Sequence, residues 1–205
     1  TFEELAWNYS ETLRRAEICN LTFRPEKTLI CPKRSIIFGW KLDDGQWRPQ
    51  EHVVSSLTRA ELPNTCKQLR SYIGAYKQIN PCIQAYSTLL APFEKVLASR
   101  ASAERISWNE QLVNSFENLK KAAADPKGIY VPKQADRLIT TSDYSTSKSA
   151  VGGALYIIRQ EGNKELKLFG GHFSACLDKY QSRWLACECE ALAVKRVLLH
   201  FEPEI

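Results

Sequence analysis

Methionine is absent from all 205 residues, and the chain starts at a threonine. Both features fit a segment excised from something longer. No apolar run approaches the ~18 residues needed to cross a bilayer. The acidic opening TFEELAWNYS also lacks the apolar core of a signal peptide, so no membrane partner is expected. The seven cysteines (19, 31, 66, 82, 176, 187 and 189) form neither a disulfide framework nor a zinc-ligand pattern. Only 187 and 189 are close, and C-x-C on a helix points its thiols about 200° apart, given a step of about 100° per residue. Scattered, odd-numbered thiols suit a reducing interior.

What is present is ordinary for a globular chain: 44% hydrophobic and 25% charged residues, enough for one large domain or two small ones. The net charge of +5 is unevenly placed. Residues 48–100 hold 7 basic against 3 acidic side chains and so carry four of the five positive charges. A local basic excess is the footprint of a phosphate-binding surface, and equally of a solvated helix face.

Along the chain, residues 2–18 place Phe2, Leu5, Ala6, Tyr9, Leu13 and Ala16 near one stripe, which predicts an amphipathic helix stopped at Asn20. Short β-like runs follow at 21–23, 28–31 and 35–40, with a turn at Asp43-Asp44-Gly45. The middle reads as helices over 50–59, about 65–77, 82–97 (with a kink at Pro92) and 109–124. From Leu138 the apolar period changes from 3.6 to 2. Runs at 138–144, 150–159 and 165–174 predict three consecutive strands, followed by a helix over 180–201. The fold class is therefore α+β, with a β-β-β-α meander at its end.

The stretch LITTSDYS is a strand that ends on one carboxylate, Asp143. An acid in a half-buried sheet needs a partner or a cation. Asp143 is thus a candidate metal ligand, or an acid turning into solvent at a strand end.

Several stretches together resemble a reverse transcriptase of the Gypsy-like LTR retrotransposons. NLTFRPEKTLIC…IIFGWKLDDG is similar to the last palm strands, with Phe38-Gly39-Trp40 at the family's hairpin and Trp40 where a histidine is usual. LPNTCKQLRSYIGAYKQ resembles the thumb signature through Leu69, Arg70, Tyr72 and Gly74. SWNEQLVNSFENLKKA resembles the helix leading into a ribonuclease H domain. LITTSDYS…GGALY and KYQSRWLACECEALAVKRVLLHF resemble that domain's first strands and first helix. The resemblance divides the chain into palm end (1–47), helical thumb and connecting helix (48–125), linker (126–136) and a truncated ribonuclease H-like unit (137–205).

That resemblance implies a parent polyprotein that is an RNA-directed DNA polymerase and cleaves the RNA of a hybrid, using two Mg²⁺ about 3.5–4 Å apart. Mg²⁺ takes hard oxygen ligands. Asp143 is implied as the first and Glu190 as the second, with Glu188 as the competitor. Glu190 is expected on a stripe with Ala186, Cys187, Val194, Val197 and Phe201 that faces the sheet. Phe38, Gly39, Trp40 and Lys41 are implied as a primer-grip hairpin, or else form an ordinary buried hairpin. Lys67, Arg70 and Lys77 are implied to track phosphates, or else form a solvated face. The partners implied are an RNA–DNA hybrid, a primer–template duplex and the rest of the polyprotein: palm and fingers upstream, the remaining nuclease and integrase downstream. The remaining metal ligands are expected downstream, which would leave this segment inactive alone. The setting implied is a cytoplasmic virus-like particle or the nucleus. The alternative is a domesticated or decayed copy acting only as a nucleic-acid-binding or protein-interaction module.

Overall fold

Capping and turn chemistry set the first elements. A computed structural model describes residues 1–30, 32–43, 45–98 and 100–205. Helix α1 (Phe2–Ile18) opens on a capping box, in which the Thr1 hydroxyl accepts the Glu4 N–H. It closes with Asn20 in the left-handed region, at φ 53°. The chain divides into two compact units, Thr1–Lys33 and Arg34–Ile205. In the first, the expected strands at 21–23 and 28–31 do not form among the described residues. Pro25–Lys27 make a 3₁₀ turn instead, and Cys31 lies outside the described residues. Proline on both sides of such short runs removes ladder donors and leaves them no partner.

The second unit runs through the expected boundaries at 47/48 and 125/126. Strands β1 (Arg34–Ile37), β2 (Trp40–Asp43) and β3 (Gln46–Pro49) form an antiparallel meander. The β1–β2 turn is the pair Phe38-Gly39, both at positive φ (48° and 83°). Two left-handed residues match the right-handed twist of a two-residue hairpin.

Helices α2 (Glu51–Thr58), α3 (Cys66–Lys77), α4 (Tyr86–Leu97) and α5 (Glu110–Ala124) then build one core. Phe116 is fully buried at its centre, 4.8 Å from the Tyr72 ring, 5.6 Å from Trp108 and 6.2 Å from Phe93. The indole of Trp108 donates to the Pro63 carbonyl at 2.8 Å, which fixes the loop before α3. The expected helix over 82–97 is shorter: Asn80–Cys82 is a 3₁₀ turn, and Ala85 at φ 54° breaks the chain before α4. Pro92 remains inside α4. Strand β4 (Ile129–Tyr130) returns to pair with β3, so the segment expected as a linker joins the first sheet.

The period-2 runs become β5 (Arg137–Ser145), β6 (Ala150–Glu161) and β7 (Lys164–Cys176), in the order β5-β6-β7. Gly162-Asn163 closes the second hairpin. Helix α6 (Ala186–His200) lies on this sheet. Its Val197, with Phe201 just beyond its end, joins Leu155, Leu138 and Phe173 in a second core. The helix is shorter than the expected 180–201. The Asp178 carboxylate caps a 3₁₀ turn at Gln181–Arg183, and Leu185 is extended before α6 begins. The α+β architecture with a terminal β-β-β-α unit is as the sequence led us to expect.

Candidate functional site

Register decides which side chains share a face. A Cβ built on Gly153 would come 2.5 Å from Val197 Cγ2, so the Gly153 row faces α6. Gly153 pairs with Ser142 and Val151 with Tyr144, which puts Ser142 and Tyr144 on that row. Asp143 pairs with Gly152, on the opposite row. Tyr144 is the β5 residue that approaches α6 here. Its phenol is pushed above its usual value by desolvation, by the neighbouring Cys189 thiol and by the charge of Glu190. Asp143 therefore stands on the row that faces away from α6, the helix that carries Glu190. In the sheet order β5-β6-β7, β5 pairs with β6 alone among the described residues.

The stripe of α6 that turns inward is Cys189, Ala193 and Val197. Cys187 and Val194, expected to face the sheet, are exposed, and so is Glu190. The buried residues follow an i, i+4 spacing, and Glu190 is one step, about 100°, off that line. Glu188 has a different occupation. Its carboxylate accepts the Leu185 N–H at 2.8 Å and caps the helix. Neither Asp143 nor Glu190 has a side-chain hydrogen-bond or ion-pair partner among the described residues. These two carboxylates remain available.

Asp143 lines a cavity of about 390 Å³ together with Thr141, Lys148, His172 and Ser174, and with Ala85 and Thr88 at the start of α4. Sequence reasoning missed His172 and Ser174. Strand alternation carried the signal, since His172 pairs with Ala154 and Ser174 with Gly152, on the row of Asp143. Burial, with a smaller push from Lys127, lowers the His172 imidazole to about 4, so it is neutral at pH 7. Its Nε2 is buried without a hydrogen-bond partner among the described residues. The Ser174 hydroxyl accepts the Ser87 N–H at 3.0 Å and ties the sheet to α4.

The hairpin residues are not buried as a plain core turn would be. Phe38 is 90% exposed, with Ile36 and Ile37 exposed behind it. Gly39 accepts the Gln50 N–H at 2.8 Å, which anchors the hairpin to the start of α2. Lys41 sits 3.8 Å from Asp43, and Trp40 is half-buried.

On α3 the three basic residues have different surroundings. The Arg70 guanidinium donates to the carbonyls of Arg100 (2.6 Å) and Leu97 (3.3 Å) and to the Ser102 hydroxyl (3.1 Å). It holds the α4–α5 loop. Lys77 pairs with Glu94 at 2.9 Å on the surface, and that carboxylate raises its pKa. Lys67 is exposed and has no ion-pair partner among the described residues. Gly74 is exposed as well, and a Cβ there would meet nothing within 4 Å.

Comparison with known proteins places these features. Residues 108–205 match the RNase H-like domain found in reverse transcriptase. Asp143, Glu188 and Glu190 all lie within those matched residues. Beyond it, the chain is 24% identical over 182 residues to the genome polyprotein of Petunia vein clearing virus, an alignment that covers 86% of this chain and 8% of the polyprotein. It is 23% identical over 192 residues to the enzymatic polyprotein of Figwort mosaic virus, covering 92% of this chain and 27% of that one. The chain therefore spans a small part of the curated relatives it matches.

Among solved structures, the foamy viral protease–reverse transcriptase in complex with dsDNA superposes with a TM-score of 0.71 at 12% identity. That match covers 87% of this chain and 36% of the other. The same foamy viral protein in complex with an RNA/DNA hybrid gives 0.69 at 12% identity, covering 86% and 23%. These likenesses show the fold.

Proposed function

We propose that this chain is the part of a retroelement reverse transcriptase, of the Gypsy-like LTR kind, that holds template–primer and contributes two carboxylates to a ribonuclease H site. The reading is carried by the RNase H-like match over 108–205, which contains both available carboxylates, Asp143 and Glu190. The parent protein, on this reading, copies RNA into DNA and cleaves the RNA of the resulting hybrid. A palm lies upstream and an integrase downstream in the same polyprotein.

Each of the two carboxylates is a hard oxygen donor of the kind magnesium takes, and Asp143 offers its own from the row that faces away from α6. Asp143 and Glu190 are oxygen ligands from different elements, both exposed and without side-chain partners among the described residues, while no group of three or more His, Cys, Asp or Glu there could hold a metal ion. Mg²⁺ is commonly bound through one or two carboxylates and keeps several waters. When bound, it would polarise a scissile phosphate and lower the pKa of an attacking water. The protein's part is to place the two carboxylates. β5 carries Asp143 at the mouth of the His172 cavity, and the Glu188 cap fixes the first turn of α6 beside Glu190. With two ligands only, we expect residues 1–205 to bind a hybrid without cleaving it.

Grip falls to the hairpin and α3. Lys67 offers an uncommitted charge. Lys77 can exchange Glu94 for a phosphate at little cost, since an exposed ion pair is worth about 0–1 kcal/mol. Arg70 is committed internally. Fluorescence anisotropy of a labelled RNA–DNA hybrid across a salt series tests this. Lys67→Ala should weaken binding and reduce the salt slope by about 1, whereas Arg70→Ala should lower stability first. A salt slope unchanged by Lys67→Ala would refute the proposed grip.

A further inference from the structure

A second concave site lies away from Asp143 and Lys67. Between β2, β3, the β4 segment and the end of the chain is a groove of about 300 Å³, bordered by Trp40, Trp47, Ile129, Pro132 and, at its rim, Glu204. Register puts both indoles on one face of the first sheet. Trp47 stands opposite Leu42, which shares its row with Trp40, and Ile129 stands opposite Trp47. Neither indole makes an aromatic pair within the described residues. The four internal cation–π contacts found there use Phe116, Phe169, Tyr156 and Tyr180 instead. Glu204 is exposed and has no ion-pair partner among the described residues.

Two half-buried indoles without an aromatic or cation–π partner among the described residues, beside one exposed carboxylate, complement a single class of ligand. The electron-rich faces attract a cation that is too weakly hydrated to prefer water. The carboxylate supplies the counter-charge, and the Ile129, Val131 and Pro132 side chains of the lining accept alkyl groups. We propose that this groove binds a small organic cation of the quaternary ammonium type. A hard metal ion does not suit it, because one carboxylate among indoles is too few oxygen ligands. A bound cation would bridge the hairpin sheet and the end of the RNase H-like unit, since Trp40 belongs to one and Glu204 to the other.

The test titrates the chain with choline and, separately, with its uncharged tert-butyl isostere, following tryptophan fluorescence and heat. Choline should give a saturable quench, with the isostere at least about tenfold weaker. Trp47→Ala should abolish the quench. Trp47→Phe, which keeps an aromatic face, should retain binding, and this separates loss of the site from loss of folding. Glu204→Gln, at an exposed position, should weaken choline by about threefold and leave the isostere unchanged. Equal binding of choline and the isostere, no saturable quench, or choline affinity unaffected by Trp47→Ala would each overturn the proposal.

Discussion

The pair Asp136–Arg159 offers the sharpest test of how the β5-β6-β7 sheet is held to the segment before it. Asp136 ends the 126–136 segment, and Arg159 projects from β6. Arg159 Nη2 lies 2.7 Å and Nε 3.1–3.2 Å from the carboxylate, and Nη2 also donates to the Val131 carbonyl at 3.1 Å. The Lys133 N–H donates to the same carboxylate at 2.8 Å. The side chains are only 3% and 9% exposed, so removing one partner strands a buried charge. For Asp136→Ala the expected loss is about 3–5 kcal/mol, and for Asp136→Asn it lies near the lower end, because one acceptor oxygen survives.

The double change Asp136→Leu with Arg159→Met removes both charges and should recover much of that loss. The Arg159 guanidinium holds the Asp136 carboxyl below its usual range. Its contribution is therefore complete above the unfolded value of about 3.9 and fades as pH falls through the lower folded value. The gap between wild type and Asp136→Asn should accordingly narrow below pH of about 4 and stay constant above it. Urea unfolding at several pH values reads both effects. A loss under about 1 kcal/mol for Asp136→Ala, or a gap that widens in acid, would refute the reasoning.

Two further outcomes follow from close contacts and capping. An alanine at Gly153 would place its Cβ 2.2 Å from the Thr141 carbonyl oxygen, which is backbone and cannot rotate away, and 2.5 Å from Val197. Gly153→Ala should cost at least about 1–3 kcal/mol and loosen α6 from β5. Thiol labelling of Cys189, fully buried in the wild type, should accelerate, and an unchanged labelling rate with unchanged stability would count against the packing described. Glu188→Ala should cost about 0.5–2 kcal/mol through loss of the helix cap while sparing Mg²⁺ binding measured calorimetrically. Asp143→Asn and Glu190→Gln should weaken Mg²⁺ binding with little change in stability, and the reverse pattern would move the ligand to Glu188.

Much of the fold was legible because it rests on local patterns. The change of period at Leu138 and the helix stop at Asn20 each act within a few residues, and the three strands and the end of α1 that they predict are where they should be. The short runs before Arg34 misled, since a strand needs a partner and composition cannot supply one. The α6 stripe misled for a related reason. Cys187 and Val194 are apolar, yet the helix turns Cys189, Ala193 and Val197 inward, because the small Gly153 row admits Val197 at that point.

The sequence by itself determined the α+β order of elements, the candidate carboxylates and the excess of positive charge over 48–100. Those follow from residue type and periodicity. Only the tertiary structure decided which groups are committed: Arg70 to the loop carbonyls, Glu188 to the Leu185 N–H, and Asp143 to the row that faces away from α6. Commitment depends on partners 3 to 32 residues away, and on strand register that shifts every side chain to the other face when it slips by one. LITTSDYS names the acid, and the pairing of Asp143 with Gly152 decides what that acid can reach.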